Sequence, residues 1–255
     1  MMPPPENQPQ PEPEEEGLIV GLDAATPVGS VALATADGRL LATTRWEGRA
    51  PVSKRLLAEV ARLLDPGEID TGRIKAIAVT HGPGTFTGLR VGLAVAKTLA
   101  HGWGAALYGY STLEIMARRW PVAGAVVCVL LDARRGELYS GVYRLREAGR
   151  PELLREDRVE PAEALLADLE RAPWPEIYFS FCGAGAASTR ERFDQRLGAR
   201  ARWISPPWNG PGAEALALAG AADWTAGVAG IDPLGARPVY LRASDAEKRH
   251  PITAF

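Results

Sequence analysis

Apolar positions recur along the chain at two spacings, every second residue and every third or fourth, and these spacings set its predicted elements. Leu18 to Leu22 is a short apolar run, Val31, Leu33 and Thr35 share one face of Ser30 to Thr35, and Leu40 to Thr44 follows the Asp37-Gly38 turn. Three antiparallel strands are predicted there. A helix opens at Pro51-Val52-Ser53, carries Leu56, Leu57, Val60, Leu63 and Leu64 at helical spacing, and stops at Asp65-Pro66-Gly67. Ile74 to Thr80 reads as a buried strand, and a glycine-rich turn leads into a helix from about Thr85 to His101. Ala105 to Tyr108 is a further strand, after which Ser111 caps a short helix reaching toward Arg119.

The pattern then begins again. Val126 to Leu131 ends in Asp132-Ala133 before a Gly136 turn and the alternating strand Glu137 to Tyr143, as Val20-Gly21-Leu22 ends in Asp23-Ala24 before Gly29 and its strand. A third strand near Leu153 to Val159, a helix from Pro161 to Leu169, a strand from Ile177 to Phe181 and an Ala-rich helix from Ala213 to Ala226 complete the second copy. The order β-β-β-α-β-α-β, repeated approximately, predicts an α/β protein of two lobes, each a mixed sheet flanked by helices. Residues 1–16 form a tail, 17–110 an N-terminal lobe and 111–255 a C-terminal lobe.

Composition narrows the classes. The tail holds six Pro and five Glu with almost nothing apolar, so it is expected to be extended and mobile. Without those five Glu the net charge of -2 becomes +3, a weakly basic body with no concentrated Lys/Arg stripe. The longest apolar stretch, Val122 to Leu131, is half the roughly 20 residues that a spanning helix needs, and no basic-then-apolar leader opens the chain. A cytoplasmic protein with no membrane contact is expected. Cys128 and Cys182 sit in buried-strand patterns and read as reduced thiols.

Three features could carry chemistry. Asp23 and Asp132 end the first strand of each copy, where paired carboxylates can hold a metal-bound nucleotide phosphate, or where each can simply stabilise its own turn. His81-Gly82-Pro83-Gly84-Thr85-Phe86-Thr87-Gly88-Leu89-Arg90 joins a strand to a helix, as an anion-binding loop does, but it lacks the Lys of a P-loop. In the same helix Gly88, Gly92 and Ala96 lie four apart, a smooth stripe that admits close approach of a partner or of the protein's own sheet. Gly183 and Gly185, after the strand ending at Cys182, could pack against an adenine or allow a tight passage into a helix. The three histidines form no helical pair, there is no Cys cluster, and no Ser/His/Asp signature is present.

The run Gly82-Pro83-Gly84-Thr85-Phe86-Thr87-Gly88-Leu89-Arg90-Val91-Gly92 resembles the signature of the TsaB (YeaZ) family, which works in tRNA threonylcarbamoyladenosine synthesis. Leu22 to Thr26, Gly109 to Leu113, Asp132 to Tyr139 and Pro238-Val239-Tyr240-Leu241-Arg242 support it. The resemblance spans residues 17 to 242, and between about 144 and 237 it is one of layout. It implies a two-lobed actin-like ATPase (ribonuclease H-like) fold related to the catalytic paralogue TsaD.

TsaD carries a metal-binding His-x-x-x-His, whereas the matching stretch here, Tyr108-Gly109-Tyr110-Ser111-Thr112, has no His. The resemblance therefore implies a scaffold without catalytic residues or metal, which supports TsaD in transferring threonylcarbamoyl to the adenosine beside the anticodon of tRNA. An active ATPase or sugar kinase of the same fold is the alternative. Expected partners are TsaD, the ATPase TsaE, a possible second copy, and tRNA through the complex. No cofactor is expected beyond possible ATP or ADP at a partner interface, with Asp23, Asp132, Gly183 and Gly185 as the possible nucleotide cleft. The two helices of the N-terminal lobe are expected to form the partner face, through Leu56, Val60, Leu63, Gly88, Gly92 and Ala96. Family members often have His-Ser where this chain has Val52-Ser53.

Overall fold

The structure, a computed structural model, describes residues 16–47, 52–64, 69–147, 149–171, 177–205 and 210–242. The predicted mobile tail and the predicted helix boundaries at Pro51 and Asp65-Pro66-Gly67 lie outside these residues, except for Glu16.

The first repeat comprises β1 (Leu18–Asp23), β2 (Val28–Thr35), β3 (Leu40–Glu47), α1 (Val52–Leu64), β4 (Ile74–Gly82), α2 (Phe86–Trp103), β5 (Ala106–Ser111) and α3 (Thr112–Arg118). The second comprises β6 (Val126–Asp132), β7 (Glu137–Arg144), β8 (Glu152–Pro161), α4 (Ala162–Arg171), β9 (Phe179–Cys182), α5 (Ala186–Leu197), β10 (Ala201–Trp203) and α6 (Ala213–Thr225). The sheets are ordered β3-β2-β1-β4-β5 and β8-β7-β6-β9-β10, so each strand of one has its counterpart in the other. In both, the first three strands are antiparallel and the last two join in parallel. The duplication predicted from the strand-end aspartates is thus real, and the fold is the expected α/β architecture of two mixed sheets flanked by helices.

β1, β4 and β6 are apolar almost throughout because helices cover both of their faces. Leu56, Val60 and Leu93 close one core of the first sheet, and Leu165, Leu166 and Phe193 the corresponding core of the second. Cys128 and Cys182 lie in the second sheet as buried free thiols, pushed upward in pKa by desolvation.

One placement corrects the sequence reading. α6 follows the last strand of the second repeat but packs on the first sheet, with Ala213, Ala217 and Ala219 against Ile19, Ala32, Ala34 and Ala78. Small side chains on several sides of α6 permit this approach, since a Cβ at Gly21 would collide with the Ala213 carbonyl. α3 makes the reverse crossing, setting Leu113 and Met116 against Val127 and Val129 of the second sheet. The predicted C-terminal lobe, 111–255, therefore keeps α3 on the second sheet but not its end, because residues 213–240 return to the first lobe. α5 and β10 escape the sequence pattern, α5 because it buries only Ala186, Thr189, Phe193 and Leu197, and β10 because it has three residues. Among the described residues no helix is long and apolar enough to cross a membrane.

Candidate functional site

The glycine-rich run after β4 folds into a docking surface for backbone. Gly82 takes a φ of 139°, a conformation open to glycine, and a side chain there would strike the Val239 carbonyl. Thr85 caps α2, its Oγ1 accepting from Gly88 N at 3.2 Å, while its own N–H donates to the Ala25 carbonyl at 2.7 Å. A Cβ at Gly84 or Gly88 would collide with the carbonyl of Ala25 or Ala24. The N–H groups of Thr85 and Gly88, which an anion-binding loop would offer to a ligand, are thus satisfied within the protein.

The C-terminal strap, residues 228–242, closes over this turn. Ile231 N donates to the Leu107 carbonyl at 2.8 Å, covering the edge of β5, and Val239 N donates to the His81 carbonyl at 2.8 Å. Tyr240 stacks on Phe86 with ring centroids 5.6 Å apart, and its hydroxyl accepts from Arg90 Nε at 2.9 Å. Arg242 then crosses to the second lobe, donating to the Ala133 carbonyl at 2.8 Å and pairing with Glu137. Four stretches that are distant in sequence, 22–26, 81–92, 132–139 and 238–242, therefore meet at one junction between the lobes.

The strand-end aspartates divide. Asp23 is fully buried, accepting from Thr80 Oγ1 at 2.9 Å and from Ala25 N at 3.2 Å, with its second oxygen unpartnered. Burial raises its pKa to about 6 against the opposing pull of those hydrogen bonds and of Arg45. Asp132 is exposed and accepts from Arg134 N at 2.7 Å, stabilising its own turn. Asp23 is thus closed off from solvent, while Asp132 is open to it. Gly183 and Gly185 likewise face the protein's own backbone: side chains there would meet Leu130 and Leu138, and Gly185 N donates to the Leu130 carbonyl at 2.9 Å.

The predicted partner stripe also turns inward. Gly88, Gly92 and Ala96 are buried, with a Cβ at Gly92 placed 3.4 Å from Ala24 Cβ and 3.9 Å from Val79 Cγ2. Leu56 and Val60 belong to the same core, and Leu63 is packed against it. A helix presents its smooth face where backbones must approach most closely, and here the close neighbour is the first sheet. Leu57, Ala58 and Ala61 hold the exposed face of α1 instead.

Two polar clusters that sequence reasoning missed join the lobes. Tyr110 Oη donates to Asp223 Oδ2 at 2.7 Å, and Arg150 Nη2 donates to the same oxygen at 2.5 Å. Burial pushes the Asp223 carboxyl up, but the bonds from Arg150 and Tyr110 prevail and hold it below its ordinary range. Ser111 and Tyr143 both donate to Asp157, whose pKa is raised by burial. No spacing could reveal pairs that stand 113 and 73 residues apart. Tyr108 and Thr112, which stand where the resemblance puts metal-binding histidines, are buried, and the Tyr108 hydroxyl donates to the Val228 carbonyl at 2.8 Å. Among the described residues no group of three His, Cys, Asp or Glu side chains could hold a metal ion.

Residues 51–249 match the TsaD family, tRNA N6-adenosine threonylcarbamoyltransferase. The tRNA threonylcarbamoyladenosine biosynthesis protein TsaB of Bacillus subtilis is 28% identical over 198 residues, 77% of this chain and 82% of that protein. TsaB of Escherichia coli is 38% identical over 133 residues, 51% of this chain and 57% of that protein. The structure of YeaZ from Pseudomonas aeruginosa superposes with a TM-score of 0.73 at 32% identity, over 88% of this chain and 100% of that one.

Proposed function

The chain belongs to the TsaB/YeaZ family, whose members work with TsaD in tRNA threonylcarbamoyladenosine biosynthesis, and from that premise we propose that it is the non-catalytic scaffold of the pair. The observation that carries this reading is the junction itself. Its signature residues Gly82, Gly84, Gly88, Val239 and Arg242 make backbone and strap contacts, and its one buried carboxylate, Asp23, is closed off from solvent. A catalytic site needs groups within hydrogen-bond reach of a reacting atom. Tyr108 and Thr112 supply neither metal ligand nor base at the position that corresponds to the paralogue's histidines.

In this reading the chain holds TsaD in its working conformation in the cytoplasm, and TsaE joins the pair. Any nucleotide in the assembly sits at a partner interface, outside this chain's own lobes. The exposed face of α1, with Leu57 exposed by 48%, supplies the apolar area for TsaD or for a second copy. Reconstitution tests the proposal: tRNA, threonine, bicarbonate and ATP are supplied with the cognate threonylcarbamoyl-adenylate synthase, TsaD and TsaE, with and without this chain. Modification should require TsaD and rise strongly when the chain is added. Modified adenosine formed with the chain but without TsaD, or equal yields with and without the chain, would overturn it.

A further inference from the structure

The outer edge of α2 and the strap enclose a groove of about 350 Å³ whose charged lining is Arg90, Lys97 and Arg237, with no acidic residue among its walls. Elsewhere arginines are neutralised by carboxylates: Arg118 by Glu114, Arg119 by Glu214, Arg155 by Glu160, Arg196 by Glu170. The three groove cations are held by neutral acceptors instead. Lys97 Nζ donates to the carbonyls of Leu234 at 3.2 Å and Ala236 at 3.3 Å, and Arg237 Nη1 donates to the same two at 2.8 and 3.1 Å. These bonds position the charges without cancelling them.

Arg90 is the most constrained of the three. Its guanidinium carbon lies 3.7 Å over the Phe86 ring, that ring stacks with Tyr240, and Nε is tied to the Tyr240 hydroxyl. The two Nη groups have no hydrogen-bond partner among the described residues, so the fork is oriented in advance and open. Such a fork suits the paired oxygens of a phosphate. The remaining walls, Leu93, Ala94, Ala236 and Pro238, are apolar apart from Thr98 and offer no pattern of donors and acceptors to read a base edge.

From Arg237 the strap runs five residues, at most about 17 Å, to Arg242 at the second-lobe turn, where Arg134 and Arg135 are exposed. Basic groups thus stand at both ends of the uncharged stretch Pro238 to Leu241, a spread that suits the successive phosphates of a strand better than a single small anion. We propose that this groove is a docking track for the phosphodiester backbone of RNA, gripping it independently of sequence. The inference rests on the reading that the chain works on tRNA, and adds that this subunit touches the RNA itself.

The test is binding of a fluorescent tRNA anticodon stem-loop to the purified chain, measured by anisotropy across a salt series. Three phosphate contacts predict a log–log salt slope of about -2 to -3, and an unrelated stem-loop should bind equally well. The triple variant Arg90→Ala, Lys97→Ala, Arg237→Ala should lose at least tenfold in affinity at low salt and most of the slope. Because Arg90 and Lys97 also hold the strap, the exposed single change Arg237→Glu is measured beside it, with a circular dichroism melt of each. Unchanged affinity and slope in Arg237→Glu, or no wild-type binding tighter than about 10⁻⁴ M at low salt, overturns the proposal. Full displacement of the RNA by ATP, or loss of TsaD binding with RNA binding intact, also overturns it, reassigning the groove to a mononucleotide or an acidic protein face. The reconstituted modification assay on the wild-type chain is read separately. If modification needs the chain but the groove variants bind RNA normally, only this inference fails; if modification does not need the chain, the functional reading fails.

Discussion

Asp23 and Asp132 end the first strand of two matching sheets, and each accepts a hydrogen bond from the N–H two residues further on, yet one is fully buried and the other exposed. The difference lies in what covers them. The Gly84 to Gly88 turn and the start of α2 press on the Asp23-Ala24-Ala25 segment, whereas the turn after Asp132 meets the strap through Arg242 on the Ala133 carbonyl and leaves Asp132 open to solvent.

Asp23 should therefore give the fold a pH signature. Its folded pKa of about 6 lies above the ordinary 3.8, so between about pH 4 and pH 6 the folded protein holds a proton that the unfolded chain has released. Stability should fall as pH rises through that window and stay lowered above it, by on the order of 3 kcal/mol. Asn at this position keeps the acceptor for Thr80 and Ala25 without the charge. Urea melts should show Asp23→Asn to be more stable than wild type at pH 7 and flatter between pH 4 and 6; a variant less stable at pH 7 would contradict the cause assigned to the shift.

The glycine stripe makes opposite predictions one turn apart. A methyl at Gly88 meets the Ala24 carbonyl, so Gly88→Ala should cost about 1–3 kcal/mol through overpacking. At Gly92 the nearest atom is 3.4 Å from the new Cβ, an ordinary contact, so Gly92→Ala should gain about 0.5–1 kcal/mol from helix propensity. Gly92→Arg should unfold the monomer by placing a charge against Ala24 and Val79. Thermal melts of the three proteins decide, and a folded Gly92→Arg monomer would return the stripe to the surface.

The lobe contact through Asp223 should depend on the carboxylate more than on its exposed arginine. The Arg150 side chain is 55% exposed, so Arg150→Ala should change stability by no more than about 1 kcal/mol. Asp223→Ala removes the partner of the buried Tyr110 hydroxyl as well and should cost about 1–3 kcal/mol. Equal costs in chemical denaturation would show that the pair, and not the tyrosine, carries the contact.

The proposed partner face is tested at Leu57, whose side chain lies outside the core. Leu57→Glu should leave the melting curve within about ±0.5 kcal/mol of wild type while weakening TsaD binding by 2 kcal/mol or more, about thirtyfold. Isothermal titration with purified TsaD reads this directly; unchanged affinity would move the interface elsewhere.

What the sequence by itself determined was local geometry and its repetition. Alternation marked β2 and β7, helical spacing of Leu56, Val60 and Leu63 marked one apolar side of α1, Ser111 marked the start of α3, and the paired Asp-Ala strand ends announced two copies of one plan. These signals are legible because each depends on residues within a few positions of one another. Only the tertiary structure decided what each face meets. Four-residue spacing puts Gly88, Gly92 and Ala96 on one side of a helix but carries nothing about whether that side faces a sheet or a partner. α6 is small and apolar around much of its surface, which fixes that it is buried but not that it crosses to the first sheet. The Arg90–Tyr240 bond joins residues 150 positions apart, and Tyr110–Asp223 joins residues 113 apart. Such contacts come from the path of the chain through space, which periodicity along the sequence does not encode.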